Sequence, residues 1–244
     1  MGLNALGRCA RPMRFALIVL VATLVAACAQ TKTFKPAGDF RRPDHAVRVL
    51  LMPPDVELAE ITAGGSLEPN AAWTEQATRN VESSLRGQMA ARNTRIEAYR
   101  PPADGVARFA EADRQTVKLH NAVGQTILIH NADPALALPT KEGRFDWTLG
   151  REAAALGEDY GADYALFVTM RDSFVSAGRV AVIAVAALFG LGIPGGQQVG
   201  FASLVDLRDG DIVWFNVMRS GGGDLRDPES ARSAVESLLA EFPL

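Results

Sequence analysis

Cysteine is almost missing: none follows Cys28, and the only other one, Cys9, lies within the first ten residues. A domain folded from the rest of the chain therefore holds no disulfide and no cysteine-ligated metal, and its core alone must stabilise it. Acidic residues are absent from the start of the chain, where Arg8, Arg11 and Arg14 fall and the first carboxylate is Asp39. The apolar run from Phe15 to Val25 is too short for a spanning helix, which needs roughly 20 apolar residues. An excess of basic residues is also lacking, with 25 Lys and Arg against 28 Asp and Glu, and this argues against a nucleic-acid partner. Histidine is scarce. His45, His120 and His130 have no second ligand at metal spacing and read as solvated or capping side chains, so no metal site is expected. No Gly-x-Ser-x-Gly elbow occurs, and no set of catalytic residues can be assembled from the sequence.

What the start of the chain does contain reads as a secretion signal whose Cys28 takes part in processing, the alternative being an ordinary secretory signal or an N-terminal membrane anchor in which Cys28 is a bystander. Three arginines keep the N-terminus in the cytoplasm while the apolar run enters the bilayer, and Val25-Ala26-Ala27-Cys28 closes that run. Small residues at 26 and 27 let a peptidase approach the backbone, and Cys28 supplies a thiol. The pattern resembles the lipobox of bacterial lipoproteins. That resemblance implies a signal peptide over 1–27, recognised through Val25, Ala26 and Ala27. It also implies a diacylglyceryl thioether and an N-acyl chain such as palmitate on Cys28, the only non-protein groups expected. Each buried methylene adds about 0.8 kcal/mol, so several acyl chains on one residue hold a protein firmly to a membrane. Ala29 stands where an aspartate would retain many such lipoproteins at the inner membrane. The expected location is the outer membrane, facing the periplasm. Loss of three arginines with the signal moves the formal charge from −3 to −6.

Residues 28–45 carry Pro36, Gly38, Arg41, Arg42 and Pro43 with little apolar content and read as a lipidated tether. Residues 46–244 then read as a single α/β domain: a mixed sheet with helices packed on it, ending in a β-hairpin followed by a helix. Val47–Met52 is an apolar run stopped by Pro53-Pro54, a strand. A turn-rich stretch through Gly64, Gly65 and Pro69 leads to Asn70, which caps a helix with Trp73, Ala77, Val81, Leu85 and Met89 on one face and a stop at Asn93. Arg95–Tyr99 reads as a strand, Glu111–Ile129 as a helix, 131–144 as a loop, Trp147–Tyr160 as a helix ending at Gly161, and Tyr164–Met170 as a strand. Val199–Leu207 and Ile212–Met218 flank Arg208-Asp209-Gly210-Asp211, a hairpin turn in which aspartate and glycine accept positive φ. Asp227 and Pro228 open the last helix, whose buried stripe is Ala231, Val235, Leu238, Leu239 and Phe242. Trp214 and Phe215 point to opposite faces of their strand, and both are expected to be covered.

Two stretches, Gly161-Ala162-Asp163-Tyr164-Ala165-Leu166-Phe167-Val168 and Leu204 through Trp214, resemble the mixed α/β domain of curli-secretion (CsgG-like) lipoproteins and the N-terminal domain of TolB. Asp209 stands where those families often have threonine, and Asp211 where they have glutamate. The resemblance implies fold more than function. A CsgG-like pore would need long alternating strands, and Tyr164–Val180 loses alternation after Arg171.

Residues 180–193 form an apolar insertion without a charge, bracketed by Arg179 and Pro194. One reading is a helix or helical hairpin buried in the core. The other is an exposed arm that docks on a membrane or on another subunit through Val180, Val182, Ile183, Val185, Leu188, Phe189, Leu191 and Ile193. Gly190, Gly192 and Gly195 spell a dinucleotide-like pattern, but Pro194 interrupts it and a strand follows instead of a helix, so no nucleotide is expected. Asp206, Asp209 and Asp211 are too few for a calcium loop. Turn chemistry accounts for Asp209 and solvation for the other two. The expected function is that of a lipid-anchored, non-catalytic binding or assembly component of an envelope or secretion system. Its partners would be the membrane through the lipid, and further copies or another envelope protein. The alternative is a lipid-tethered periplasmic hydrolase with 131–144 lining a cleft.

Overall fold

A computed structural model describes residues 29–37, 40, 43–92, 94–100, 107–132 and 134–244. Val25–Cys28 and Asn93 lie outside them. The fold is α/β: an eight-stranded mixed sheet with helices on both faces. Its strands are β1 (Gln30–Phe34), β2 (Arg48–Leu51), β3 (Asp55–Ile61), β4 (Leu67–Pro69), β5 (Arg95–Ala98), β6 (Tyr164–Val175), β7 (Gln198–Asp206) and β8 (Ile212–Ser220). Its helices are α1 (Ala71–Ala91), α2 (Ala107–Ala132), α3 (Ala154–Tyr160), α4 (Ala177–Leu188) and α5 (Pro228–Leu238).

The strand order is β1-β8-β7-β6-β2-β5, and β6 is the spine. Its first half pairs with β2 and its second half with β3, both parallel, so β2 and β3 share one position beside β6, interrupted at Pro53-Pro54, with β5 and β4 outside them. Proline has no N–H for the ladder, and the chain steps over the gap before pairing resumes at Asp55. β3 and the short β4 lie in the stretch read from sequence as turns. Only the Gly64-Gly65 tip and its flanks are turn, with Gly65 donating to Thr62 O at 2.9 Å.

Period-2 alternation splits the core. On one face Leu166, Val168, Met170, Leu204, Trp214 and Met218 meet Ala77, Val81, Leu85 and Met89 of α1 and Ala231, Val235 and Leu238 of α5. On the other face Phe167, Phe201, Val205 and Phe215 meet Ile127 of α2 and Leu156 of α3. Trp214 and Phe215 are both fully covered, one on each face. Asn70 caps α1 by accepting from Trp73 N at 3.0 Å, and Asp227 caps α5 by accepting from Ser230 N at 2.8 Å. Asp227→Ala is expected to cost about 1 kcal/mol, read as a shift in the urea midpoint at constant m-value.

Four expectations change. The tether is not all tether: Gln30–Phe34 is strand β1, antiparallel to β8, and Phe34 stacks on Phe145 at 6.0 Å. It covers the otherwise open edge of β8, a long-range pairing that a mostly polar five-residue segment does not announce. Trp147–Gly150 is extended, not helical, because Thr148 bridges Asp211 and Leu149 N donates to Gly210 O at 2.8 Å. Gly150, at φ 80, ends that stretch, and a 3-10 turn at Arg151–Ala153 leads into α3. In the β7–β8 turn only Gly210 takes positive φ, at 84°, while Asp209 Oδ1 accepts from Asp211 N at 3.0 Å. Asp206 is buried instead of solvated, and Arg208 pairs with it at 2.6 Å.

Candidate functional site

The insertion between β6 and β7 is an arm with a pinned neck. Ser173 N and Oγ both donate to Gln197 O at 3.1 Å, and Gln197 N donates back to Ser173 Oγ at 3.1 Å. Gly196 sits in this neck because a Cβ there would lie 2.0 Å from Ser173 O. At the root of α4, Ser176 Oγ accepts from Arg179 N at 3.1 Å, an N-cap, and Ser176 N donates to Ile61 O at 3.0 Å. A Cβ on Gly178 would stand 3.1 Å from that of Ala63, so the first turn of the helix is held close to the β3–β4 turn.

Beyond this root the helix leaves the domain. Val180 is 52% exposed, Val182 38%, Val185 56%, Leu188 84%, Phe189 77% and Leu191 62%. Ile183 and Ile193 are half-buried, and Ala186 is buried. Gly190, at φ 73, then reverses the chain, with Leu191 N donating to Ala186 O at 3.0 Å. The buried-helix reading of 180–193 is thus corrected. A helix that is apolar all round is stable in water only when something covers it, and the domain itself covers little of this one. The glycine series lies after a helix and not at a helix N-terminus, so no N–H cluster faces it.

Beside the neck is a cavity of about 170 Å³ lined by Asp172, Ser173, Phe174, Gln198 and Gly221–Gly223. Asp172 is buried, and its carboxylate accepts from Gln198 Nε2 at 3.1 Å and Leu225 N at 3.2 Å. Burial raises its pKa against those hydrogen bonds. Next to it the Arg226 guanidinium lies 3.9 Å from the centre of the Phe174 ring and 4.5 Å from that of Trp73, and pairs with Asp224 at 2.8 Å. The hydrogen bonds from Arg226 hold the Asp224 carboxyl below its usual range. Sequence reasoning missed this stacked arginine, because its partners come from α1, β6 and the turn before α5.

His120 also departs from expectation. It is buried, stacks on Phe167 at 4.2 Å between ring centres, and its Nε2 lies 2.5 Å from Ser203 Oγ. This serine–histidine pair is sealed between α2 and the sheet, and neither residue lines any of the three cavities described here. Burial depresses the histidine from 6.5 to about 4. The unfolded chain takes up this proton near pH 6.5 and the folded one only near 4, so the stabilisation is complete above pH 6.5 and drains away as pH falls toward 4. Between pH 7 and 5 the wild type should lose on the order of 2 kcal/mol, and His120→Leu should flatten that slope in urea titrations. The Asp172 carboxyl, raised by burial, works in the opposite sense, so the slope is read as the difference between wild type and His120→Leu, in both of which Asp172 is intact.

Among the described residues no group of three or more His, Cys, Asp or Glu is placed to hold a metal, and no helix is long and apolar enough to cross a membrane. Two further grooves flank the domain. One of about 520 Å³ runs between α1 and α5, lined by Asn80, Ser83, Gln88, Glu229 and Arg232. The other, of about 500 Å³, is lined by Ala29, Gln198, Ser220, Gly222, Gly223 and the serines of α5.

No family model and no curated protein matches the chain. Among solved structures it is similar to the PelC dodecamer from Paraburkholderia phytofirmans and to a single-residue variant of that dodecamer in a second crystal form, each with a TM-score of 0.38 and 12% identity over 87% of this chain and 96% of that one. It is also similar to the LpoB C-terminal domain from Salmonella enterica, with a TM-score of 0.24 and 17% identity over 70% of this chain and 80% of that one.

Proposed function

We propose that the protein is a lipid-anchored, periplasm-facing envelope lipoprotein that acts by binding, as a component or accessory of a secretion or envelope-assembly system. The observation that carries this reading is the arm. A closed α/β domain presents Leu188, Phe189 and Leu191 to its surroundings on a helix whose neck is pinned by hydrogen bonds. Large exposed apolar side chains on a fixed support are a contact device. The Val25–Cys28 motif supplies the location, since a thioether-linked lipid on Cys28 ties the domain to a membrane after export. The reading includes no catalytic step, no metal and no cofactor beyond that lipid.

A photoreactive residue placed singly at exposed positions of α1, α4 and α5 in living cells tests it. A binding component gives cross-linked species of discrete mass, or lipid adducts, from one face and not from the others. Absence of any adduct from every face, in a strain where the protein is present and functional, contradicts it.

A further inference from the structure

The arm and the lipid-bearing end of the chain leave the domain on the same side. β1 begins at Gln30, which pairs with Arg219 at the end of β8. Ser220 of β8 pairs with Gln198 at the start of β7, and Gln198 pairs with Asp172 near the end of β6. The start of β1, the end of β8, the start of β7 and the end of β6 therefore share one end of the sheet, and α4 grows from that end. The cavities repeat this placement. Gln198, Gly222 and Gly223 line both the groove that includes Ala29 and the cavity at the neck of the arm.

Ala29 is the residue after Cys28, and the sheet begins one residue later. No tether separates the expected lipid from the fold: two residues of chain span at most about 7 Å. Along the sheet, β1 and β6 are three strand spacings apart, about 14 Å. The twelve residues of α4 measure about 18 Å, too short to cross a hydrocarbon core of about 30 Å. A lipid inserted at Cys28 thus brings this end of the sheet to the bilayer surface, and the arm with it.

Resting on the lipid-anchor reading, we infer that α4 and the turn after it insert as a second, protein-made anchor into the bilayer that holds the Cys28 lipid. The occupant of the apolar surface is lipid and not a second copy. Protein interfaces carry a polar rim and hydrogen bonds, whereas Val180–Ile193 offers no side-chain donor or acceptor at all. Acyl chains ask for none. Leu67, 63% exposed on β4 and paired with Ile61 beside the root of the arm, extends the apolar surface at that end. Two points of attachment, at the β1 edge and at the arm, fix the orientation of the domain on the membrane, which a single lipid leaves free.

The test uses the full lipidated protein purified from membranes. Cys9 leaves with the signal and the sulfur of Cys28 is alkylated, so Phe189→Cys gives the mature protein one free thiol for an environment-sensitive nitrobenzoxadiazole label. Ser83→Cys on the exposed side of α1 is the control. Both are incorporated into vesicles of phosphatidylethanolamine and phosphatidylglycerol, with or without brominated acyl chains. The expected result is co-flotation of both proteins, with a blue shift and loss of most emission to brominated lipid at 189 and neither at 83. Co-flotation with equal, solvent-like emission at both sites overturns the inference and leaves the anchor standing. A blue shift at 189 that brominated chains do not quench also overturns it, because the surface is then covered by protein. Failure to float without added detergent overturns the anchor itself. Leu188→Ser combined with Leu191→Ser, at exposed positions where folding is indifferent, is expected to remove the quenching while the urea midpoint stays unchanged.

Discussion

Cys28→Ala is expected to move the protein out of the membrane fraction and to abolish its labelling by radioactive palmitate. Only a thiol can form the thioether, and Cys28 is the only cysteine at the end of the apolar run. On the proposed reading, the domain without lipid keeps only the arm, a single short apolar helix whose insertion would be reversible. The variant should therefore wash off membranes at concentrations where the wild type stays bound, because two or three acyl chains contribute far more than one short apolar helix. The check is fractionation of cells carrying either form, with the label counted in immunoprecipitated protein. Equal labelling of both forms would sink the assignment of Cys28. Equal retention without labelling would shift the weight of attachment to an uncleaved signal segment.

The second large effect is expected at the β7–β8 turn. Gly210 holds φ at 84°, and a Cβ there would lie 2.0 Å from Gly150 O and 2.8 Å from its carbon, both backbone atoms. Neither can yield without breaking the contact in which Leu149 N donates to Gly210 O at 2.8 Å. Gly210→Ala should destabilise the fold by about 3 kcal/mol, through left-handed strain plus the backbone clash. Gly143 has nearly the same backbone, at φ 75, but nothing within 4 Å of its Cβ position. Gly143→Ala should cost only about 1 kcal/mol, the conformational part alone. Urea unfolding of the two variants side by side separates clash from strain. Midpoints that coincide would mean that the 148–150 segment moves freely away from the turn.

Local chemistry made some of the fold legible in the sequence and left the rest hidden. The hairpin from Val199 to Met218, the Asn70 and Asp227 caps, the stripe of α1 and that of α5 through Leu238 are signals carried within a few residues, and the structure has them in place; α5 ends there, so Leu239 is its cap and Phe242 lies past it, half-buried. Gly161 at φ 58 ends α3 as its place before Ala162-Asp163-Tyr164 suggested, and Asp163 then accepts from Arg48 N at 2.8 Å to join β6 to β2. β1 and β3 were hidden, because their strand character comes from the partners they cover: β8 for Gln30–Phe34, and the far half of β6 for Asp55–Ile61. His120 was misread for the same reason, since its burial depends on Phe167 and Ser203 far away in the chain. The apolar character of Val180–Ile193 was plain, but burial is a property of the whole molecule, and no periodicity in that stretch distinguishes a core helix from an exposed one.

The most direct test of the account is the mass of the mature N-terminal peptide. Trypsin should cut after Lys32 and release Cys28–Lys32, the peptide Cys-Ala-Gln-Thr-Lys. This peptide is expected to begin at Cys28 and to carry the mass of a diacylglyceryl group plus an amide-linked acyl chain. A peptide reading upstream through Ala27, or one beginning at Cys28 with a free thiol, would contradict it.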